Sequence, residues 1–310
     1  MATADPGPYG TIGRVFATLL GPLPRPSLPA DAAPEAILDA ILALQTDHGL
    51  EPLTDGGWPV QRGQSAHGAA AVDPVAAWRA TSARTSRLVK AVLRGPFSSD
   101  SSGDLERRQV LDLVDAGCRW VEVHEPAAVT IGDDVASRDR FSRVHERLTS
   151  GIEGIHLSLA ITGGNADTAG IDTILAGAYA SLALDLINGP DNWRLAAELS
   201  GDRGVVAGVV AARKGSDDGP EIMLWAAGYA ASTGGRGEAR VGLATAGSYA
   251  DLPWDVAAEK VRRLGAGARL ASAPREDRLA AIDPRAIDPR SAALGRHEPR
   301  STRRGPRPAR

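Results

Sequence analysis

Apolar positions fall along the chain in two alternating rhythms. Short β-prone runs lie near 9–14, 50–54, 87–93, 119–124, 153–159, 180–186, 204–210 and 240–245. Amphipathic stretches separate them. The first covers about 34–48, with Pro34 in its first turn, Ile37, Leu38, Ile41 and Leu42 on one stripe, and Gly49 just past its end. Asp104 precedes a helical run carrying Leu105, Leu111 and Val114 that closes at Gly117. Phe141, Val144 and Leu148 mark the next, closed by Gly151. Asp191 is placed to cap a helix that bears Leu195 and Leu199 and stops at Gly201. Pro220 begins an Ala-rich helix ending at Gly234-Gly235, and Pro253 begins one with Val256, Val261 and Leu264.

Eight strand–helix alternations over about 260 residues predict an α/β fold of the (β/α)8 TIM-barrel type. The third unit departs most, because 55–86 holds only a short helix near 73–80 within a long loop. A doubly wound open sheet is the competing architecture, but no Gly-x-Gly-x-x-Gly follows an early strand. Residues 1–8 read as a polar, Pro-rich lead, 9–271 as the barrel, and 272–310 as a disordered Arg/Pro-rich tail. In that tail Ala281-Ile-Asp-Pro-Arg is followed at once by Ala286-Ile-Asp-Pro-Arg, and the rest lacks the apolar surface needed to order itself.

Composition narrows the class. With 310 residues, 43% hydrophobic and 24% charged, a sizeable core is expected without disulfides. The single cysteine, Cys118, excludes an intrachain disulfide and any multi-thiolate metal site. From Arg275 onward ten arginines face five acidic residues, so the chain before it carries −8 against −3 overall. A negative body argues against nucleic acid as partner. No apolar run reaches the roughly 20 residues that span a bilayer, and the longest, about 170–187, contains Asp172 and Asp185. The expectation is a cytoplasmic protein acting on a small molecule, with neither membrane nor nucleic-acid partner and with its oligomeric state undetermined.

The stretch Ile155-His156-Leu157-Ser158-Leu159-Ala160 carries the densest candidate chemistry. Strand alternation sets Ile155, Leu157 and Leu159 on one face and His156, Ser158 and Ala160 on the other. That suits a barrel strand packed outward on helices and turned inward on a site. For His156, an acid–base role competes with a histidine simply hydrogen-bonded inside the barrel. Glu122 and His124 share strand parity near a strand end and form either a proton-transferring couple or a polar barrel layer. Asp185 is either a base or the ion-pair partner of an inward arginine. Asp55, beside Gly56-Gly57, serves either a ligand or its own turn. Glu125-Pro126 reads as architectural, His145 as a surface residue, and Trp58 and His67 as residues of a loop that a lid would use.

Several motifs in order resemble the C-terminal catalytic barrel of cobalamin-independent methionine synthase, within the group that also holds uroporphyrinogen decarboxylase. Thr11-Ile12-Gly13 resembles the family's Thr-Ile-Gly-Ser, Leu53-Thr54-Asp55-Gly56 its second loop, and Val92-Leu93-Arg94-Gly95-Pro96 its Leu-Thr-Gly-Pro. Ala116-Gly117 through Val121-Glu122-Val123-His124-Glu125-Pro126 resembles Ala-Gly followed by Ile-Gln-Ile-Asp-Glu-Pro.

The resemblance implies a zinc-assisted methyl transfer from a folate to a thiol, with zinc held by His-x-Cys, Glu and a final Cys. Here those positions fall on His156, Ser158, Asp185 and Ala246. Two thiolates are missing, so zinc is not expected and no metal ligand is assigned. Folate is implied by the resemblance alone. The amine-binding carboxylates correspond to Gly57 and His124, while Arg14 and Arg94 stand where the family has Ser and Thr. Arginine prefers planar anions. The expected substrate is therefore a carboxylate without a free amine, with Arg14, Arg94, Asp55 and Ser158 binding it and His156, His124, Glu122 and Asp185 as the catalytic candidates. Three functions remain open: a divergent methyl or alkyl transferase, a metal-independent lyase or decarboxylase, and a non-catalytic barrel.

Overall fold

The structure, a computed structural model, describes residues 14–58, 73–216 and 218–281. Thr11-Ile12-Gly13, His67 and everything beyond residue 281 lie outside them. Seven parallel strands form one sheet: β1 Phe16–Thr18, β2 Ala91–Arg94, β3 Trp120–His124, β4 His156–Ile161, β5 Ser181–Asp185, β6 Gly204–Ala211 and β7 Val241–Ala246. Their order across the sheet is β1-β7-β6-β5-β4-β3-β2. The segment around Leu53 bridges the two edges. Glu51 N donates to Ala17 O (2.8 Å), Leu53 N to Leu88 O (2.8 Å), and Lys90 N to Leu53 O (2.9 Å). The sheet thus curls back on itself as an α/β barrel, with a single β-bridge, Leu53 to Val89, in place of an eighth strand.

Helices α1 Pro34–Asp47, α2 Pro74–Ser82, α3 Asp104–Asp115, α4 Val135–Thr149, α5 Ile171–Ile174, α6 Trp193–Glu198, α7 Pro220–Ser232, α8 Trp254–Ala271 and α9 Arg275–Ala281 follow the expected rhythm. The first helix begins at Pro34 because a proline tolerates the first turn, where its missing N–H has no partner to lose. Asp73 caps α2 through Val75 N, and Asp134 caps α4 through Ser137 N. The stretch expected to be unstructured from residue 272 instead starts with α9, tied back by an Arg278–Glu238 ion pair of 2.7 Å. Among the described residues no helix is long and apolar enough to cross a membrane.

Two apolar layers result from strand alternation. Outward residues such as Leu93, Val121, Val123, Leu157, Leu159, Leu182 and Leu184 join the helices' apolar stripes in one large cluster. Inside the barrel a smaller cluster holds Phe16, Leu20, Trp120, Ala160, Ala183, Val206 and Ala244. The inner wall is small on β4 to β7 because Phe16 and Trp120, 5.7 Å apart edge to face, fill the lower axis. The first strand among the described residues is Phe16–Thr18; of the strand expected at 9–14, residues 9–13 lie outside them. The apolar run Val15-Phe16-Ala17-Thr18-Leu19-Leu20 supplies the buried positions, and Arg14 precedes it.

Helix α8 packs on the end of α1 and on α7 through two glycines. A Cβ built on Gly265 falls 2.0 Å from His48 O, and one on Gly267 falls 2.0 Å from Met223 Sδ. By contrast, a Cβ on Gly228 in α7 meets nothing within 4 Å. Gly265→Ala is therefore expected to destabilise the protein by about 1–3 kcal/mol in urea denaturation. Gly228→Ala is expected to leave stability unchanged or raise it by up to about 1 kcal/mol through helix propensity. Equal midpoints for the two variants would contradict the packing described.

Candidate active site

The registers fix which inward residues share a level. Arg94 pairs with His124 and His124 with Ala160; one step lower, Val92 pairs with Glu122 and Glu122 with Ser158; lower still, Trp120 pairs with His156. Arg94 and His124 end their strands and so stand at the C-terminal mouth, where barrel enzymes assemble their sites. Val92, on the inner face of β2 at the level of Glu122, is 41% exposed.

Glu122 is fully buried, and two side chains, Lys90 and His124, contact its charge. Lys90 Nζ lies 2.7 Å from each carboxylate oxygen and donates a third hydrogen bond to Leu19 O at 2.9 Å. His124 Nε2 lies 2.7 Å from Glu122 Oε1. Burial alone would raise the Glu122 pKa, but the Lys90 ammonium and the His124 contact outweigh it and hold the carboxyl at about 2. Burial pulls Lys90 below its ordinary value, with Glu122 opposing. An ionised carboxylate can only accept, so Nε2 carries the hydrogen and His124 Nδ1 keeps its lone pair. His124 is partly exposed and Lys90 and Glu122 are not. The mouth thus presents one basic nitrogen backed by a buried ion pair.

Arg94 is exposed beside this couple, its Nε and Nη2 donating to Ser98 O. The loop that carries Ser98 is anchored from below. Glu125 accepts from Phe97 N and Ser98 N, both at 2.8 Å, and a Cβ on Gly95 would fall 2.1 Å from its Oε1. His145 Nε2 stands 3.0 Å from the same oxygen, and His145 Nδ1 is bonded to Tyr179 Oη. Burial, then the charge of Glu125, pushes Tyr179 well above the usual phenol range, so its hydroxyl stays protonated and donates. Glu125 is architectural as expected. His145 is buried rather than on the surface, because α4 turns it inward against Phe141 and Tyr179.

The other sequence candidates are placed elsewhere. His156 sits at the first residue of β4, buried against Trp120 with ring centroids 4.1 Å apart, its Nε2 2.9 Å from Ser181 Oγ. Burial lowers its pKa to about 3, with Glu122 opposing and Lys90 assisting, so it is neutral. Ser158 is buried and accepts from Trp120 Nε1 at 3.0 Å. Asp185 ends β5 at the mouth side, where it accepts from Gly163 N, Ile187 N, Asn188 N and Asn188 Nδ2. Four donors fill a carboxylate's acceptor sites, so this side chain staples two loops and is not held by an arginine's ion pair in the manner expected. Arg14 is exposed just before β1, at the end of the barrel opposite Arg94. Asp55 lies in the loop after the Leu53 bridge and accepts from Gly57 N; burial raises its pKa, and that backbone hydrogen bond opposes the rise.

The positions matched to metal ligands do not make a metal centre. Ala246 ends β7, and a Cβ on the next residue, Gly247, would lie within 4 Å of Thr162 and of Asp185. Thr162 is six residues beyond His156, roughly 20 Å along the strand at ~3.3 Å per residue. Among the described residues no group of three or more His, Cys, Asp and Glu side chains is arranged to hold an ion. A zinc ion therefore does not fit this donor set.

Lys90 was not singled out by pattern reading, although a signal exists. It is one of three lysines in a chain with 32 arginines, and it interrupts the apolar run Leu88-Val89-Lys90-Ala91-Val92-Leu93. A lone cation inside a strand that is otherwise apolar needs a buried anion.

The Glu122 pKa gives a stability prediction. Its folded value is about 2 against 4.5 for the free group. The carboxylate's contribution is then fully present above about pH 4.5 and is lost as pH falls toward 2. Urea midpoints measured through this range are expected to fall steeply for the native chain and less for Glu122→Gln; parallel curves would contradict the ion pair.

No protein-family model matches the chain, and no curated protein does. Solved structures do. A B12-independent methionine synthase from Shewanella sp. W3-18-1, in complex with selenomethionine, superposes with a TM-score of 0.69 at 14% identity, over 86% of this chain and 99% of that one. A putative vitamin-B12-independent methionine synthase from Listeria monocytogenes gives 0.61 at 13% identity, over 83% and 98%. A methyltransferase from Methanosarcina mazei gives 0.54 at 14%, over 83% and 94%. Over most of its length the chain has the barrel fold of the cobalamin-independent methionine synthase structures.

Proposed function

We propose that this protein is a divergent group-transfer enzyme on the methionine-synthase barrel, acting at the mouth on a small carboxylate substrate. The observation that supports this most is the His124 Nε2–Glu122 Oε1 contact of 2.7 Å, backed by buried Lys90 and open to solvent beside Val92. Arg94 offers a guanidinium on the same level, suited to a carboxylate through charge-assisted hydrogen bonds. His124 Nδ1 would accept the proton of the nucleophile as its lone pair displaces the leaving group of an alkyl donor. An imidazole base does here what a bound metal does when it stabilises a thiolate. The fold likeness to methionine synthases and a methyltransferase supports alkyl transfer as the reaction class. A lyase that clamps one substrate between Arg14 and Arg94 is disfavoured, since the two lie at opposite barrel ends.

Calorimetry with small mono- and dicarboxylates tests the reading. Arg94→Gln is expected to weaken binding of such a ligand about 10- to 100-fold. His124→Asn is expected to leave binding within a few-fold and to cut turnover by about 100-fold or more. Carboxylate binding indifferent to Arg94→Gln, or tight binding of homocysteine, would overturn it.

A further inference from the structure

A hydrogen bond between Glu122 and His124 can run in either direction. An ionised Glu122 accepts from Nε2–H and leaves a lone pair on Nδ1. A protonated Glu122 donates to a bare Nε2 and leaves an N–H on Nδ1. The first arrangement presents a base at the mouth, and the second presents a hydrogen-bond donor. The distance of 2.7 Å serves both. Which one holds depends on what else touches the carboxylate.

We propose that Lys90 is the positioning residue that selects between them and so fixes the mouth as a proton acceptor. This inference rests on the reading of His124 as the mouth base. Lys90 cannot touch substrate, because its ammonium is fully buried. All three of its hydrogens are assigned, two to the Glu122 oxygens and one to Leu19 O of the chain leaving β1. The carbonyl of Leu19 points the ammonium at Glu122. No water need intervene, so the carboxylate's counter-charge is part of the barrel wall.

Among the described residues, the other charged and titratable groups nearby do not replace it. His156, from β4, is neutral and bonded to Ser181 Oγ. Arg94 faces the mouth and donates to Ser98 O. Without Lys90 the carboxylate would have no cation in contact while remaining sealed from water, and burial favours the neutral acid. Its new O–H then has an acceptor 2.7 Å away, His124 Nε2. This arrangement holds one proton more than the native couple, taken up from water at the mouth: the new proton sits on Nδ1, the Nε2 hydrogen passes to the carboxylate, and the mouth changes from acceptor to donor while the contact distance is kept.

The test reads the tautomer directly. The chain has six histidines, so two-bond proton–nitrogen correlation spectra of the histidine-labelled protein at ~pH 8, above the ordinary imidazole value, assign His124 by the signals lost in His124→Asn. The native chain is expected to show His124 protonated on Nε2. Lys90→Met is expected to show it protonated on Nδ1. If the methionine variant does not fold, Lys90→Gln, which keeps a donor and loses the charge, carries the same comparison. An Nε2-protonated His124 in the folded variant would overturn the role given to Lys90 and leave the mouth reading intact. An Nδ1-protonated His124 in the native chain would overturn both. No substrate enters these spectra, so carboxylates that fail to bind would sink the functional reading alone.

Discussion

The structure turns on a carboxylate and an ammonium sealed together inside the barrel. Removing either ion from water costs several kcal/mol, and their attraction offsets that only when geometry and additional hydrogen bonds are good. Here both oxygens of Glu122 and all three hydrogens of Lys90 are used. A pair of this kind is weak support for stability and strong support for specificity of position. It pins the end of β1, the approach to β2 and the middle of β3 at one level of the axis, and it leaves Glu122 one oxygen edge for His124.

What surrounds the pair explains why the mouth is open. The lower axis is filled by Phe16 and Trp120, and the wall opposite them is cut back to Ala160, Ala183, Gly208 and Ala244. The inner face of β2 is exposed at Val92, and a ligand can reach the level of His124. The loop that aims Arg94 is fixed separately, by Glu125 from the outer layer. Base and guanidinium are therefore held by two independent networks, one inside the barrel and one between barrel and helices.

Much of this was legible in the sequence, for identifiable reasons. The strand carrying Trp120, Glu122 and His124 alternates cleanly, so the Glu122–His124 couple could be read from parity alone. The helix from Pro34 and the glycine stops likewise follow from local chemistry. The strand Phe16–Thr18 lay outside the expected bounds because β-prone residues continue through Leu20 and nothing local says which part is buried. The positions matched to the family's zinc ligands are kept apart for a reason that parity does not carry. Parity says that His156, Ser158 and Asp185 face inward, and they do lie on inner positions; it says nothing about height. His156 begins its strand and Asp185 ends its own, which only the register between strands reveals. Lys90 escaped because a charge inside an apolar run looks like an edge or an error until its anion is found on the neighbouring strand.

Height also decides what a histidine can be. His156 and His124 face the same axis and both sit near Glu122, yet one lies in the filled lower layer and the other at the mouth. Below, burial against Trp120 drives the imidazole pKa to about 3, so nothing near neutral pH can charge it. Its ring serves packing and one hydrogen bond to Ser181. Above, water reaches His124, whose Nε2 lies 2.7 Å from a Glu122 oxygen. A scaffold can therefore change its chemistry without changing its strands. It is enough that a protonatable ring occupies the top layer and that a fixed countercharge beneath it decides which of its nitrogens faces the substrate.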